Sequence, residues 1–413
     1  KQLKDDASKS DPNKYFAVHL TPEQVHLSLG ALPDEFVVTW VTLNQTATPS
    51  MVKFGLVNTG ERVATGTVTA FTDGGPLKMV RSDSWSNLYR FKTLPAKKVG
   101  PEWTLNLLIF GDLGNGQAKT LSMLQDEVEF RRPDLVVQVG DFAYNLEDDN
   151  GRMGDAFFRD IEPITTQRPF QVCVGNHEAA YNFSHYDHRF SMYSAGNPEN
   201  TSNWYWSQNI GNVHLVALST EFYYFPEFFG QRGLQAQAQY RWLQEDLKRA
   251  NLPENRRRWP WIVTLGHRPM YNEFYVNDKI RVGDANFPGL EKLFYENGVD
   301  LAYWGHDHIY ERILPVYNRK VLNGSSSGDP YRNPKSLVHL TTGSAGCILA
   351  PPALNPHRPD YSAYANADYS YTRMAVFNDT HLKVEQISQN QAGKAIDEFY
   401  LVKEKHGPYE PVN

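Results

Sequence analysis

The chain is 413 residues long, more than one hydrophobic core usually organises, so its length predicts two domains. It is 41% hydrophobic and 21% charged, an ordinary globular composition, and it holds no run of about 18 apolar residues to span a membrane. A formal net charge of −6 with no basic block argues against nucleic acid as an obligate partner.

The first stretch, residues 1–20, is an N-terminal extension without an apolar h-region, as expected if a signal peptide has already been removed. Sequons at Asn44, Asn182, Asn200, Asn323 and Asn378 predict N-linked glycans and a secreted or lumenal protein. Cys173 and Cys347 are the only cysteines, too few for a disulfide framework, and whether they pair is open.

Residues 21–100 alternate apolar and polar positions with period two. Strands are predicted over Val25 to Leu29, Phe36 to Val41 and Ser50 to Val57, and the alternation continues in "RVATGTVTAF" and "NLYRFKTL". No helical period intervenes, so a small β-sandwich is expected, with a linker in "LPAKKVGPEW" and a boundary near residue 100.

From Leu105 the texture changes. "TLNLLIF" is continuously apolar, as in a strand buried on both faces, and a helical pattern follows with Leu121, Leu124 and Val128 on one side and Pro133 as its stop. "DLVVQV", "FQVCV", "PWIVTL" and "VDLAYW" are further buried strands; "YRWLQEDLKRAN" and "GLEKLFYENG" are helical. Residues 101–413 therefore read as a layered α/β domain.

Each of those strands runs into a glycine and then polar residues. The clusters are "GDLGNG" with Asp112, "GDFAY" with Asp141 and Tyr144, "GNHE" with Asn176, His177 and Glu178, "GHRP" with His267, and "GHDH" with His306 and His308. Any one of them alone reads as a turn. In open α/β sheets, ligands bind beyond the carboxyl ends of the strands, so five such ends should converge. Carboxylate, amide, phenol and imidazole together suit a metal site, while the absence of thiolate fits a tetrahedral structural zinc poorly. Asp112, Asp141, Tyr144, Asn176, His267, His306 and His308 are too many for one ion but enough for two if one carboxylate bridges. Two-metal sites serve phosphate-ester hydrolysis.

At these residues the chain resembles the calcineurin-like metallophosphoesterases, and specifically the purple acid phosphatases. The pattern GDxG–GDxxY–GNH(D/E)–VxxH–GHxH is met by "GDLG", "GDFAY", "GNHE", "VTLGH" with one extra residue, and "GHDH"; the tyrosine is the discriminating element. The N-terminal region, with "SDSWSNLYRFKTLP", and the later "TTGSAGC" are similar to the larger, plant-type form. The resemblance implies a fibronectin-like all-β sandwich followed by a four-layer αββα catalytic domain. It implies that Asp112, Tyr144 and His308 bind Fe(III), that Asn176, His267 and His306 bind a divalent ion (zinc, iron or manganese), and that Asp141 bridges. Formally the two ions outweigh these anionic ligands and a bridging hydroxide by about one positive charge, enough to attract a phosphate.

The implied activity is acid hydrolysis of small phosphate monoesters by an Fe(III)-activated hydroxide, in a secreted or lysosomal glycoprotein; a homodimer stays open. A phosphodiesterase or nucleotide pyrophosphatase on the same centre, and a non-catalytic metal-binding glycoprotein, are the alternatives. His177 is implied to contact the phosphate or leaving group and to act as general acid, with Glu178 orienting it. Two departures stand out. Val276 and Asn277 occupy the place where plant-type members carry a histidine pair, and the chain is a strand pair short between Lys78 and Met79, either by genuine deletion or because residues are absent from this sequence. His26, His214 and His339 are expected to be structural. The aromatic run from Glu221 to Phe229 reads equally as cleft lining and as core.

Overall fold

The structure, a computed structural model, describes residues 21–411 apart from 33–34, 44, 47–48, 57–59, 69–78, 81–84, 96–98, 195–202, 226–232, 327 and 348–351. The N-terminal extension, the sequons Asn44 and Asn200, both of the linker's lysines, Lys78 and the end of the aromatic run lie outside the described residues.

Two mixed sheets form the body of the molecule. In the six-stranded sheet Leu105–Phe110, Leu135–Val139 and Phe170–Cys173 run parallel. On the other side of Leu105–Phe110, Ser370–Val376 pairs antiparallel and leads through His381–Ser388 to Lys394–Val402. In the seven-stranded sheet Val213–Ala217, Trp261–Leu265, Leu301–Trp304 and Val338–Thr342 are parallel. Trp206–Ile210, Tyr310–Ile313 and Ser362–Asn366 flank them antiparallel.

The central strands Leu135–Val139, Val213–Ala217, Trp261–Leu265 and Leu301–Trp304 are buried at every position because both of their faces are covered. Val263 and Leu265 join a core that also holds Leu107, Ile109 and Val137 of the other sheet. Their neighbour Ile262 faces the opposite way, into a cluster with Leu243 and Leu247 of helix Leu234–Ala250 and Phe294 of helix Glu291–Glu296. Sheet therefore packs on sheet, with helices on the outer face of the seven-stranded one.

Several elements differ from the sequence expectation. Helix Leu121–Asp126 continues as a π-turn over Glu127–Arg131, and a left-handed Arg132 ends it one residue before Pro133. The buried Glu127 carboxylate accepts from Tyr371 Oη at 2.9 Å and Arg373 Nε at 3.0 Å, which ties this turn to strand Ser370–Val376. Helix Arg152–Thr165 was not anticipated, since Pro163 lies inside it and a Gly- and Asp-rich stretch precedes it; it buries Phe157, Phe158, Ile161 and Ile164. The expected strand "NLYRFKTL" forms no ladder: Tyr89 bonds Glu162 through its hydroxyl, and Phe91 packs against Phe36 with centroids 5.4 Å apart.

Among the described residues, 21–100 form only two-stranded ladders, including Glu23–Leu29 with Phe36–Val41 and Met51–Phe54 with Arg62–Thr65. The first of these strands is docked on the two-sheet body. Glu162 Oε2 accepts from Gln24 N at 2.7 Å, Gln171 Oε1 accepts from Leu29 N at 2.8 Å, and Thr165 Oγ1 donates to Val25 O at 3.0 Å. His26 is buried beside Phe158 and Phe190.

Candidate metal centre

Five strands, drawn from both sheets, end at one place, and the glycine after each lets the backbone come close. Gly140 has φ +85°, and a Cβ there would lie 2.4 Å from His267 Nδ1; at Gly175 it would lie 2.2 Å from Asp141 Oδ1. A side chain at either position would collide with a residue of the site. Asp112, Asp141, Tyr144 and His306 themselves have φ of 59°, 49°, 51° and 68°. Such left-handed backbone costs of order 1–3 kcal/mol per residue and concentrates at functional sites.

The predicted residues gather into two adjoining groups. In one, Tyr144 Oη donates to Asp112 Oδ1 at 3.0 Å and stands 2.9 Å from His308 Nε2, itself 3.5 Å from Asp112 Oδ1. In the other, His267 Nε2 lies 3.2 Å from both Asn176 Oδ1 and Asp141 Oδ2. Donor atoms of Asp141, His267 and His306 fall within 4.8 Å of one another. The groups meet through Asp112, whose Oδ2 accepts from His306 N at 2.9 Å. Asp307, between the two histidines, turns the other way and accepts from Asn272 Nδ2 at 2.6 Å.

The electrostatics are those of a cation site. Burial works to lower His267 and His308, yet the nearby carboxylates of Asp141 and Asp112 outweigh it and push each up to about 10. Burial, with His267 and Arg268 close by, lowers His306 to about 2 and leaves its ring neutral, the form that can donate a lone pair. Burial and then the Asp112 carboxylate push the Tyr144 phenol far up. Only a strong Lewis acid would hold it as phenolate.

The surroundings orient these groups. His267 Nδ1 faces Val139 O at 2.8 Å, which directs Nε2 inward. His308 Nδ1 lies 3.2 Å from Cys347 Sγ, and no disulfide joins Cys347 to Cys173. His177 sits at the rim, its ring centroid 4.3 Å from that of Tyr144 and its Nδ1 2.7 Å from Asn145 Oδ1. The expectation that Glu178 orients His177 is thereby corrected. The Glu178 carboxylate is buried and accepts instead from the backbone N–H of Asp141, Phe142 and Gly175 at 2.9–3.0 Å, which pins two of the site loops together.

Sequence reasoning also passed over Arg268. It lies inside the "GHRP" motif that was read only for its histidine, and its Nη1 lies 2.9 Å from His306 Nε2.

The remaining polar candidates lie elsewhere. His214 bonds buried Asp246, and His339 accepts from Trp304 Nε1 at 3.1 Å. Phe222 and Tyr223, from the described part of the aromatic run, are core. Asn182 and Asn378 are exposed and Asn323 is half-buried.

Comparison with known proteins follows the same lines. The calcineurin-like phosphoesterase family matches residues 105–310, and the iron/zinc purple acid phosphatase-like protein C family matches 336–398. Acid phosphatase type 7 of Danio rerio is 41% identical over 94% of this chain and 92% of its own length, and the Homo sapiens protein of that name is equally similar. The purple acid phosphatase PPD1 from yellow lupin (Lupinus luteus) seeds superposes with a TM-score of 0.74 at 20% identity, over 93% of this chain and 74% of the lupin one.

Proposed function

The chain belongs to the calcineurin-like phosphoesterases, as a purple acid phosphatase similar to acid phosphatase type 7, and from that membership as a binuclear-metal acid phosphatase we propose how its residues divide the work. Asp112, Tyr144 and His308 would hold Fe(III); Asn176, His267 and His306 would hold a divalent ion, zinc, iron or manganese; Asp141 would be shared. What carries this reading is the division into two donor groups, anionic oxygens dominating one and nitrogens the other. Hard ferric iron favours the first and a softer divalent ion the second. When bound, such ions supply Lewis acidity, lowering the pKa of water and offsetting phosphoryl charge.

The chain's own groups do the rest. Glu178 and His267's contact with Val139 O keep the loops and rings in place. The leaving alcohol needs a proton, and His177 is at the rim to give it. With Nδ1 facing Asn145 Oδ1 at 2.7 Å, Nε2 is the nitrogen left to hand that proton over.

We extend the reading to residues 21–100 as a fibronectin-like sandwich, to 101–413 as the catalytic domain, and to 1–20 as an extension. The sequons support a glycosylated secreted or lysosomal protein, and its substrates are small phosphate monoesters. The test is metal analysis with a visible spectrum. Iron plus a second metal and a tyrosinate charge-transfer band, absent in Tyr144→Phe, are expected, with p-nitrophenyl phosphate cleaved in preference to its bis-ester. A colourless protein holding two divalent ions would remove the ferric assignment.

A further inference from the structure

Arg268 is built into the metal site more firmly than a surface arginine next to a ligand would be. Its backbone N–H donates to Thr220 Oγ1 at 3.0 Å, and its Nε–H reaches both oxygens of Glu221 at 3.1 and 3.0 Å. Glu221 is fully buried, so the guanidinium is held at its inner edge by a carboxylate that cannot move away. The guanidinium carbon also lies 4.2 Å from the ring centroid of Tyr224, which Lys279 approaches at 4.4 Å. Held in this way, the plane presents Nη1 to His306 Nε2 at 2.9 Å.

That last contact cannot coexist with metal ligation by a neutral His306, whose ring has a single lone pair: ligation through Nε2 uses it up, and ligation through Nδ1 leaves Nε2 carrying the proton. Nη1 then loses its acceptor, while Glu221 and Tyr224 still fix the arginine beside the centre. A planar, always-charged donor is then left facing the place where a tetrahedral dianion would arrive. Val276 and Asn277, at the positions of the missing histidine pair, cannot act as cations. Asn277 is buried with its Oδ1 accepting from Tyr224 Oη at 2.9 Å, behind the ring that supports Arg268.

We propose that Arg268 binds the substrate directly, donating through its guanidinium to a phosphoryl oxygen. It would thereby supply on this side of the centre the positive contact that the histidine pair does not. The inference rests on the phosphatase reading above and specifies which residue grips its substrate.

The experiment uses the metal-loaded full chain and its Arg268→Ala and Arg268→Lys variants. Metal content, calorimetric binding of inorganic phosphate, and KM and kcat for p-nitrophenyl phosphate are measured on each. The expected result is unchanged metal content with phosphate affinity about tenfold or more weaker in Arg268→Ala, and partial recovery in Arg268→Lys, which keeps the charge and loses the fork. Unchanged phosphate affinity in the alanine variant overturns the proposal. So does loss of metal from both variants, which would make Arg268 a support for His306. A metal-loaded wild-type chain that neither binds phosphate nor cleaves the ester would overturn the phosphatase reading itself, a result distinct from the other two.

Discussion

His177 and Tyr144 show how neighbouring residues at one site take different tasks. The Tyr144 hydroxyl points inward between Asp112 and His308, whereas His177 lies over its ring at the rim with one nitrogen already committed to Asn145. A proton donor matters most when the leaving group is a poor one. His177→Ala is therefore expected to keep both metals and to lose about 10²- to 10⁴-fold in kcat on an alkyl phosphate, with a much smaller loss on p-nitrophenyl phosphate. Steady-state kinetics on the two esters check this; equal losses would argue for a binding role instead. This residue was legible in the sequence as part of "GNHE", but its partner was not. Glu178 is adjacent in the chain and turns to three backbone amides, while Asn145 reaches His177 across space.

The recurring unit of the site is a buried strand, a glycine and a polar residue. It was readable because every part of it is local: apolar runs such as "LVVQV" and "WIVTL" mark strands buried on both faces, and the glycine follows at once. The π-turn at Glu127, the helix containing Pro163 and the C-terminal strands were not, because packing onto distant partners decides them. The same unit predicts an unusually costly small substitution. Gly140→Ala would place a methyl group 2.4 Å from His267 Nδ1 on backbone that alanine rarely adopts. A destabilisation of about 2–4 kcal/mol, with loss of the divalent metal, is expected from strain plus clash. Denaturant titration and metal analysis on the same preparation test it, and an alanine variant with native metal content would show that His267 can give way.

Across the whole molecule, the first strand and the catalytic body share a buried histidine. Burial, opposed only partly by the Gln24 carbonyl, lowers His26 from 6.5 to about 4, so it is neutral in the folded protein. Unfolding returns it to its ordinary value, and below pH 6.5 the unfolded chain takes up a proton that the folded one does not. The stabilisation is whole above pH 6.5, declines as the pH falls, and is gone below about 4, a loss of about 3 kcal/mol across that window. His26→Leu should flatten this part of the stability curve, as read by thermal unfolding at pH 7 and pH 4.5. An unaltered pH dependence would place the acid sensitivity elsewhere. The separation of the N-terminal region from the body was expected from the change in periodicity near residue 100. The intimacy of their contact was not, because Glu162, Thr165 and Gln171 carry no sign in the sequence that they face a strand more than a hundred positions earlier.

The register of the six-stranded sheet bears on how the protein is made. Leu105–Phe110, which delivers Asp112, is zipped on one side to Ser370–Val376, and nothing that lies between them in the chain fills that edge. On the ribosome all seven proposed metal ligands, the last of them His308, emerge well before the strand that completes their platform. Ions met during synthesis would find ligands without a scaffold, so ordered loading belongs to the released, folded chain. The cellular compartment in which folding finishes, more than the one in which translation occurs, then sets which metals the enzyme carries.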